Sequence, residues 1–234
     1  MSIPFFYKED IFQDDSMLVL DEDTSKHIVQ VLRMQTREKV KLCNGKGNIF
    51  IAEISDNHRK KCTVTIVEKL TIEKSETNIC IAISPIKNNS RFEWFLEKAT
   101  EIGVAEIVPV ICERTEKAQL KPERLKGILV SAMLQSQQAW LPILHPPQKL
   151  LDYLPTVQAG ATKLIAHCIE HQKKSLKEME PADNAVILIG PEGDFTAPEI
   201  EAALNQNFRA VSLGQTRLRT ETAAIVAATL LCIQ

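Results

Sequence analysis

No run of apolar residues in this chain approaches the length of a membrane span. The opening Met1-Ser2-Ile3-Pro4-Phe5-Phe6-Tyr7-Lys8-Glu9-Asp10 has no basic segment leading into a long apolar stretch. The expectation is therefore a globular protein of the cytoplasm with no membrane partner. The six cysteines, Cys43, Cys62, Cys80, Cys112, Cys168 and Cys232, include no CxxC pair. That pattern speaks against a disulfide framework and for reduced, mostly buried thiols. His167, Cys168 and His171 form the one cluster suggestive of a metal, but a structural zinc needs four well-spaced ligands, and no metal is expected. Gly190 and Gly193 fit neither GxGxxG nor GxxxxGKS/T, which leaves a Rossmann dinucleotide site and a P-loop without support.

What is present is enough apolar material to build cores: 234 residues, 44 % of them hydrophobic, sufficient for one large domain or two small ones. The formal charge of -2 argues against indiscriminate nucleic-acid binding, yet it hides a strong local pattern. Glu9 to Asp23 carries seven acids and no base, whereas Thr24 to Lys61 carries nine bases against three acids. The second stretch can present a positive face to RNA, or simply a solvated one.

Residues 1–70 read as short strands joined by tight turns, with one helix. Strands are expected at Met17–Leu20, Glu38–Cys43, Asn48–Ile54 and Cys62–Lys69, with a turn at Asn44-Gly45-Lys46-Gly47. Thr24 or Ser25 caps the helix, whose apolar face is Ile28, Val31 and Leu32. This suggests a small barrel. Residues 71–78 are polar and mark a linker; residues 79–234 then alternate strand and helix, the signature of a parallel α/β sheet. Ser90-Arg91-Phe92-Glu93 has capping-box spacing and opens a helix that buries Phe92, Phe95, Leu96 and Ala99 and stops at Gly103. Strands follow at Glu106–Ile111 and Thr162–His167, and Pro122 starts a helix reaching Gln138. His171 to Glu180 reads as a charged surface segment. The amide-rich Gln135-Ser136-Gln137-Gln138 before Trp140 leaves two readings: a contact with RNA or a partner, or a helix end plugging a core with Trp140, which is preferred.

The chain is organised around its last fifty residues. Ala185-Val186-Ile187-Leu188-Ile189 opens into Gly190-Pro191-Glu192-Gly193-Asp194-Phe195, and Ala210-Val211-Ser212-Leu213 opens into Gly214 through Thr222. Each is a strand, a loop and a helix. Unalternating apolar runs suit strands buried on both faces of a parallel sheet, and such sheets bind ligands at the carboxyl ends of their strands. Thr196-Ala197-Pro198-Glu199 has capping-box spacing, and Glu221 to about Ile233 forms the last helix, with Ala223, Ala224, Ala227 and Ala228 allowing close packing. On spacing alone both loops could equally be ordinary turns.

Ile189-Gly190-Pro191-Glu192-Gly193, followed by Leu213-Gly214 and Leu218-Arg219-Thr220-Glu221-Thr222-Ala223, resembles the ribosomal RNA small subunit methyltransferase E family, a branch of the knotted SPOUT methyltransferases. Lys87, Arg91 to Val104, the stretch His27 to Met34 and the Asn44 to Gly47 turn extend the resemblance to the whole chain. It implies a PUA-like β-barrel over residues 1–70, a trefoil-knotted methyltransferase domain over 79–234, a homodimer, and S-adenosylmethionine-dependent methylation of uracil N3 in the 16S ribosomal RNA of the small subunit. Two rivals remain: a SPOUT enzyme acting on transfer RNA, and a non-catalytic ribosome-binding protein.

By the same resemblance Ile189, Gly190, Glu192, Gly193, Leu213, Gly214, Leu218 and Thr220 hold the cofactor, and Arg33, Arg37, Lys46, Lys98, Arg114 and Arg217 face RNA. Glu97 and Glu101 lie near the active-site side, though like charges four apart also suit a solvated helix face. Arg219 is assigned to the substrate anion or the target phosphate, because a permanently charged planar fork of donors stabilises an anion and is unsuited to being a base. Glu221 either orients Arg219, accepts a proton, or is merely a favourable acid in a helix's first turn. The family usually has glycine where Asp194 stands, and arginine then an aliphatic residue where Thr216-Arg217 stands.

Overall fold

The computed structural model describes residues 3–116, 118–169, 173–180 and 182–233. It divides into two compact units, Met1–Lys74 with Met133–Leu141, and Ser75–Ala132 with Pro142–Gln234.

In the first unit, β1 (Phe5–Tyr7), β2 (Met17–Val19), β3 (Lys39–Cys43), β4 (Asn48–Asp56) and β5 (Thr63–Thr71) form one sheet in the order β1-β3-β4-β5-β2. Only β1 and β3 pair in parallel; the other pairs are antiparallel. The β3–β4 connection turns where expected. Gly45 and Gly47 take φ of 70° and 84°, and the Asn44 side chain accepts the Lys46 N–H at 2.9 Å. Val40, Leu42, Phe50, Ala52, Ile54 and Val64 fill the core with Ile11, Leu20 and Ile28.

The helix α1 (Glu22–Lys26) departs from expectation at both ends. Asp21, not Thr24 or Ser25, is its cap, accepting the Thr24 N–H and hydroxyl, each at 2.8 Å. Ser25 is instead buried, giving its hydroxyl hydrogen to the Leu20 carbonyl and accepting the Cys62 N–H at 2.9 Å. From His27 to Val31 the backbone passes into a π-turn, and Met34 N–H closes on the Ile28 carbonyl. Met34 therefore joins Ile28 inside, while Val31 and Leu32 stand 68 % and 41 % exposed rather than forming the expected apolar face.

Met133–Leu141 was expected with the second half of the chain but belongs to the first unit. Met133 and Ala139 are buried with Cys43, and Trp140 donates its indole N–H to the Ile72 carbonyl at 2.9 Å. Trp140 thus closes a core, as preferred from sequence.

In the second unit, β6 (Asn78–Ile83), β7 (Glu106–Ile111), β8 (Ile143–Leu144), β10 (Thr162–Ala166), β11 (Lys174–Ser175), β12 (Asn184–Ile189) and β13 (Arg209–Ser212) run β11-β13-β10-β12-β6-β7-β8, and β9 (Gln148–Lys149) also pairs with β7. Every pair is parallel. Ala185 through Ile189 are buried throughout, as the unalternating run requires. The short β11 was missed within the charged segment because two residues carry no periodicity.

Helices cover this sheet. In α2 (Asn89–Ile102), Phe92, Phe95, Leu96 and Ala99 are buried and Gly103 ends the helix at φ 98°. Its cap is Asn88, whose side chain accepts the Ser90 N–H at 3.0 Å, so Ser90 lies inside the helix rather than capping it. Helix α3 (Pro122–Gln135) stops short of Gln138, where Gln137 is left-handed at φ 60°. A single turn, α4 (Leu150–Tyr153), follows β9, and α5 (Ala197–Asn205) has the expected capping box between Thr196 and Glu199. Helix α6 (Thr220–Cys232) buries Ala224, Ala227 and Ala228, and packs against α2, β6 and β12.

All six cysteines are free thiols; four are buried, Cys232 is half-buried and Cys168 is exposed. Burial pushes Cys80 and Cys112 up to about 12. Among the described residues no helix is long and apolar enough to cross a membrane, and no three His, Cys, Asp or Glu side chains gather as metal ligands. His171, part of the cluster considered from sequence, lies outside the described residues.

Candidate cofactor cavity

A cavity of about 800 Å³ opens at the carboxyl ends of β10, β12 and β13. Three walls build it: Ala166–Cys168 after β10, Ile189–Glu192 with Asp194 after β12, and Val211 through Thr220 from β13 to the start of α6. The sheet order explains the convergence. β10 lies between β12 and β13, so the two glycine loops flank the strand whose own loop supplies the third wall.

Local chemistry holds the walls. Gly190 is buried beneath Phe195, and a Cβ there would meet the Phe195 ring at 3.1 Å, so a side chain at that point would require the ring to give way. The Thr220 hydroxyl donates to the Gly190 carbonyl at 3.1 Å, tying the β12 loop to the first turn of α6. Arg114 donates to the Gly193 carbonyl at 2.7 Å, and the Lys87 N–H donates to the Glu192 carboxylate at 3.1 Å. Glu199 accepts the Glu113 N–H at 2.8 Å, fastening the segment after β7 to α5. Gly214, at φ 152°, has no atom within 4 Å of where a Cβ would stand, so its backbone is open to an incoming group.

Most of the residues assigned to the cofactor from sequence gather here. Ile189, Gly190, Glu192, Leu213, Gly214, Leu218 and Thr220 line the cavity, as do Arg217 and Arg219. Gly193 lies outside the lining and presents its carbonyl to Arg114. Arg219 occupies the cap position of α6 with an exposed side chain that has no hydrogen-bond or ion-pair partner among the described residues.

Glu221, read from sequence as orienting Arg219, accepting a proton or simply favouring a helix's first turn, stands in the first turn of α6. It is only 7 % exposed, its Oε1 stands 3.6 Å from Nε of Arg91 on α2, and its buried Oε2 has no hydrogen-bond partner among the described residues. Lys98 is held by both Glu97 and Glu101, at 2.7 and 2.9 Å, and these bonds raise its pKa. Arg33, Arg37 and Lys46 are exposed on the first unit, with Arg33 and Arg37 left-handed at φ 56° and 72°.

The sequence reading missed the wall after β10, namely Ala166, His167 and Cys168, and also Lys173, which donates to the His167 carbonyl. The buried strand before that wall was legible, but its pairing with β12 and β13 was not.

Comparison with known proteins agrees with this layout. Residues 73–232 match the family model described as an RNA methyltransferase domain, and residues 20–67 match that of an RNA methyltransferase PUA domain. A curated relative from Rickettsia conorii, named ribosomal RNA small subunit methyltransferase E, is 30 % identical over 92 % of this chain and 88 % of its own length. A solved structure described as a probable rRNA-methyltransferase from Porphyromonas gingivalis is 40 % identical with TM-score 0.90, covering 97 % of this chain and 95 % of the other. A ribosomal RNA small subunit methyltransferase E from Neisseria gonorrhoeae, solved bound to S-adenosyl methionine, is 30 % identical with TM-score 0.86 over the same shares.

Proposed function

The chain belongs to the ribosomal RNA small subunit methyltransferase E family, and we propose that it transfers the methyl group of S-adenosylmethionine to N3 of a uridine in 16S ribosomal RNA. The observation that carries this reading is the cavity itself. Its volume of about 800 Å³ lies in the range of small-molecule sites. It offers open backbone at Gly214, apolar contact from Ile189, Leu213 and Leu218, and two exposed arginines at one rim. Those features fit a ligand with an adenosine part and a charged amino-acid part.

When bound, S-adenosylmethionine supplies an electrophilic methyl group. The protein's share is placement and charge. Ile189, Leu213 and Leu218 would exclude water around the nucleoside, and the open backbone at Gly214 would let it approach without side-chain obstruction. Loss of the imide proton at uracil N3 to solvent water would leave negative charge on the ring oxygens. Arg219, fixed at the α6 cap and otherwise uncommitted, stabilises that charge, and Arg217 beside it meets RNA phosphate. Holding the two reactants in line supplies much of the remaining acceleration.

The same reading includes a trefoil knot through the loops around β10, a closed PUA-like barrel, RNA contact by Arg33, Arg37 and Lys46, and a cytoplasmic homodimer. Support for the dimer comes from α6 and α2. Ile225, Val226 and Leu230 are only half-buried, and Ile233 and Trp94 are 65 % and 43 % exposed.

The test is transfer of labelled methyl from S-adenosylmethionine to small ribosomal subunits from cells lacking this protein, with the nucleoside identified by mass spectrometry. N3-methyluridine in 16S ribosomal RNA is expected. Label in transfer RNA would replace the substrate, and binding to the subunit without label would favour a non-catalytic ribosome-binding protein.

A further inference from the structure

We propose that Asp194 makes the cavity selective for a ligand with a positive charge at sulfur, so that S-adenosylmethionine is held in preference to the neutral thioether left after transfer. The inference rests on the cofactor reading above and adds to it a residue that separates substrate from product.

Asp194 is one of two acids among the described residues that border the cavity. Its backbone is left-handed at φ 63°, a conformation that Asp and Asn tolerate better than most side chains. The carboxylate is fixed on both sides. Oδ1 accepts the Phe195 N–H at 2.9 Å, and Oδ2 reaches across to the Cys168 N–H at 2.8 Å, while the Asp194 N–H donates to the Pro191 carbonyl at 2.9 Å. The side chain therefore bridges the wall after β12 and the wall after β10.

Both donors are neutral amides, so they orient the charge without cancelling it, and each oxygen keeps a lone pair. Asp194 has no ion-pair partner among the described residues. Of the cations that line the cavity, Lys173 is engaged by the His167 carbonyl, and Arg217 and Arg219 are exposed to solvent. Glu192, the other acid, is exposed and holds the Lys87 N–H, so water screens its charge more strongly. Asp194 is thus the half-buried acid of the wall, as Lys173 is its half-buried cation, and neither has an ion-pair partner among the described residues. A ligand that loses one positive charge on reaction loses its attraction to that carboxylate, which favours departure of the product.

The test is calorimetric binding of S-adenosylmethionine, S-adenosylhomocysteine and sinefungin, whose ammonium replaces the sulfonium, to the full chain and its variants. Asp194→Asn tolerates the left-handed backbone and keeps a side-chain oxygen for the Cys168 N–H. Asp194→Gly removes the side chain in a conformation glycine adopts freely. In both variants, S-adenosylmethionine and sinefungin are expected to weaken about five- to tenfold, with S-adenosylhomocysteine within about twofold of wild type in Asp194→Asn. Equal weakening of all three ligands would make Asp194 a clasp between the walls and overturn the proposal; so would unchanged affinities. A wild-type chain binding none of the three would remove the cofactor reading itself.

Discussion

Thr220 gives its hydroxyl hydrogen to the carbonyl of Gly190 at 3.1 Å, joining two loops thirty positions apart in the chain. The bond is buried and lies where the cavity's second and third walls meet. Removing only the hydroxyl leaves a buried carbonyl without its donor.

Thr220→Val keeps the volume and deletes that donor. It should weaken S-adenosylmethionine binding by about three- to tenfold and lower stability by about 1 kcal/mol, whereas Thr220→Ser should restore most of both. Titration calorimetry and thermal unfolding of the same samples read the two effects.

Arg219→Ala should leave cofactor affinity within about threefold and lower the rate of methyl transfer by about a hundredfold or more, the order seen when one oxyanion donor is lost. Single-turnover assays at saturating cofactor separate the two quantities. A loss confined to cofactor binding would move Arg219 from substrate to cofactor.

Gly47 combines φ 84° with a site where a Cβ would stand 2.5 Å from the Trp140 ring. Gly47→Ala should therefore cost about 2–4 kcal/mol, from backbone strain together with displacement of Trp140. A lowered unfolding temperature with quenched or shifted Trp fluorescence would report it.

Burial pushes the Asp21 carboxyl up, but the Thr24 N–H and hydroxyl outweigh burial and leave its pKa below the usual value. The cap therefore contributes stability above the ordinary carboxylate range and loses it as pH falls through the lowered folded-state pKa. Asp21→Ala should cost about 1 kcal/mol at neutral pH. The gap between variant and wild type in denaturant midpoints should narrow on acidification; a gap independent of pH would contradict the capping role.

How far the sequence carried depended on whether a feature was local. The buried run Ala185–Ile189, the Thr196 capping box and the Gly103 stop depend on near neighbours and were read correctly. Around α1 and α2, several adjacent residues compete for each cap. Asp21 and Asn88 take the caps in place of Thr24, Ser25 and Ser90, each accepting a backbone N–H two or three residues further on. The π-turn at His27–Val31 broke the 3.6-residue rule that had placed Val31 and Leu32 inside. The Glu221–Arg91 pair and the Asp194–Cys168 bond join segments far apart in sequence, and no local pattern encodes them.

The order β13-β10-β12-β6 also fixes a timetable. Asn78 on β6 finds its strand partner only at Asn184, and Leu164 on β10 finds one of its two only at Arg209. Such distant pairings make folding slow, because loop closure must precede any reward from contact. A nascent chain has no complete cavity until the segment from Arg209 to Ala223 has left the ribosome, so no ligand can be held by a chain still short of that point.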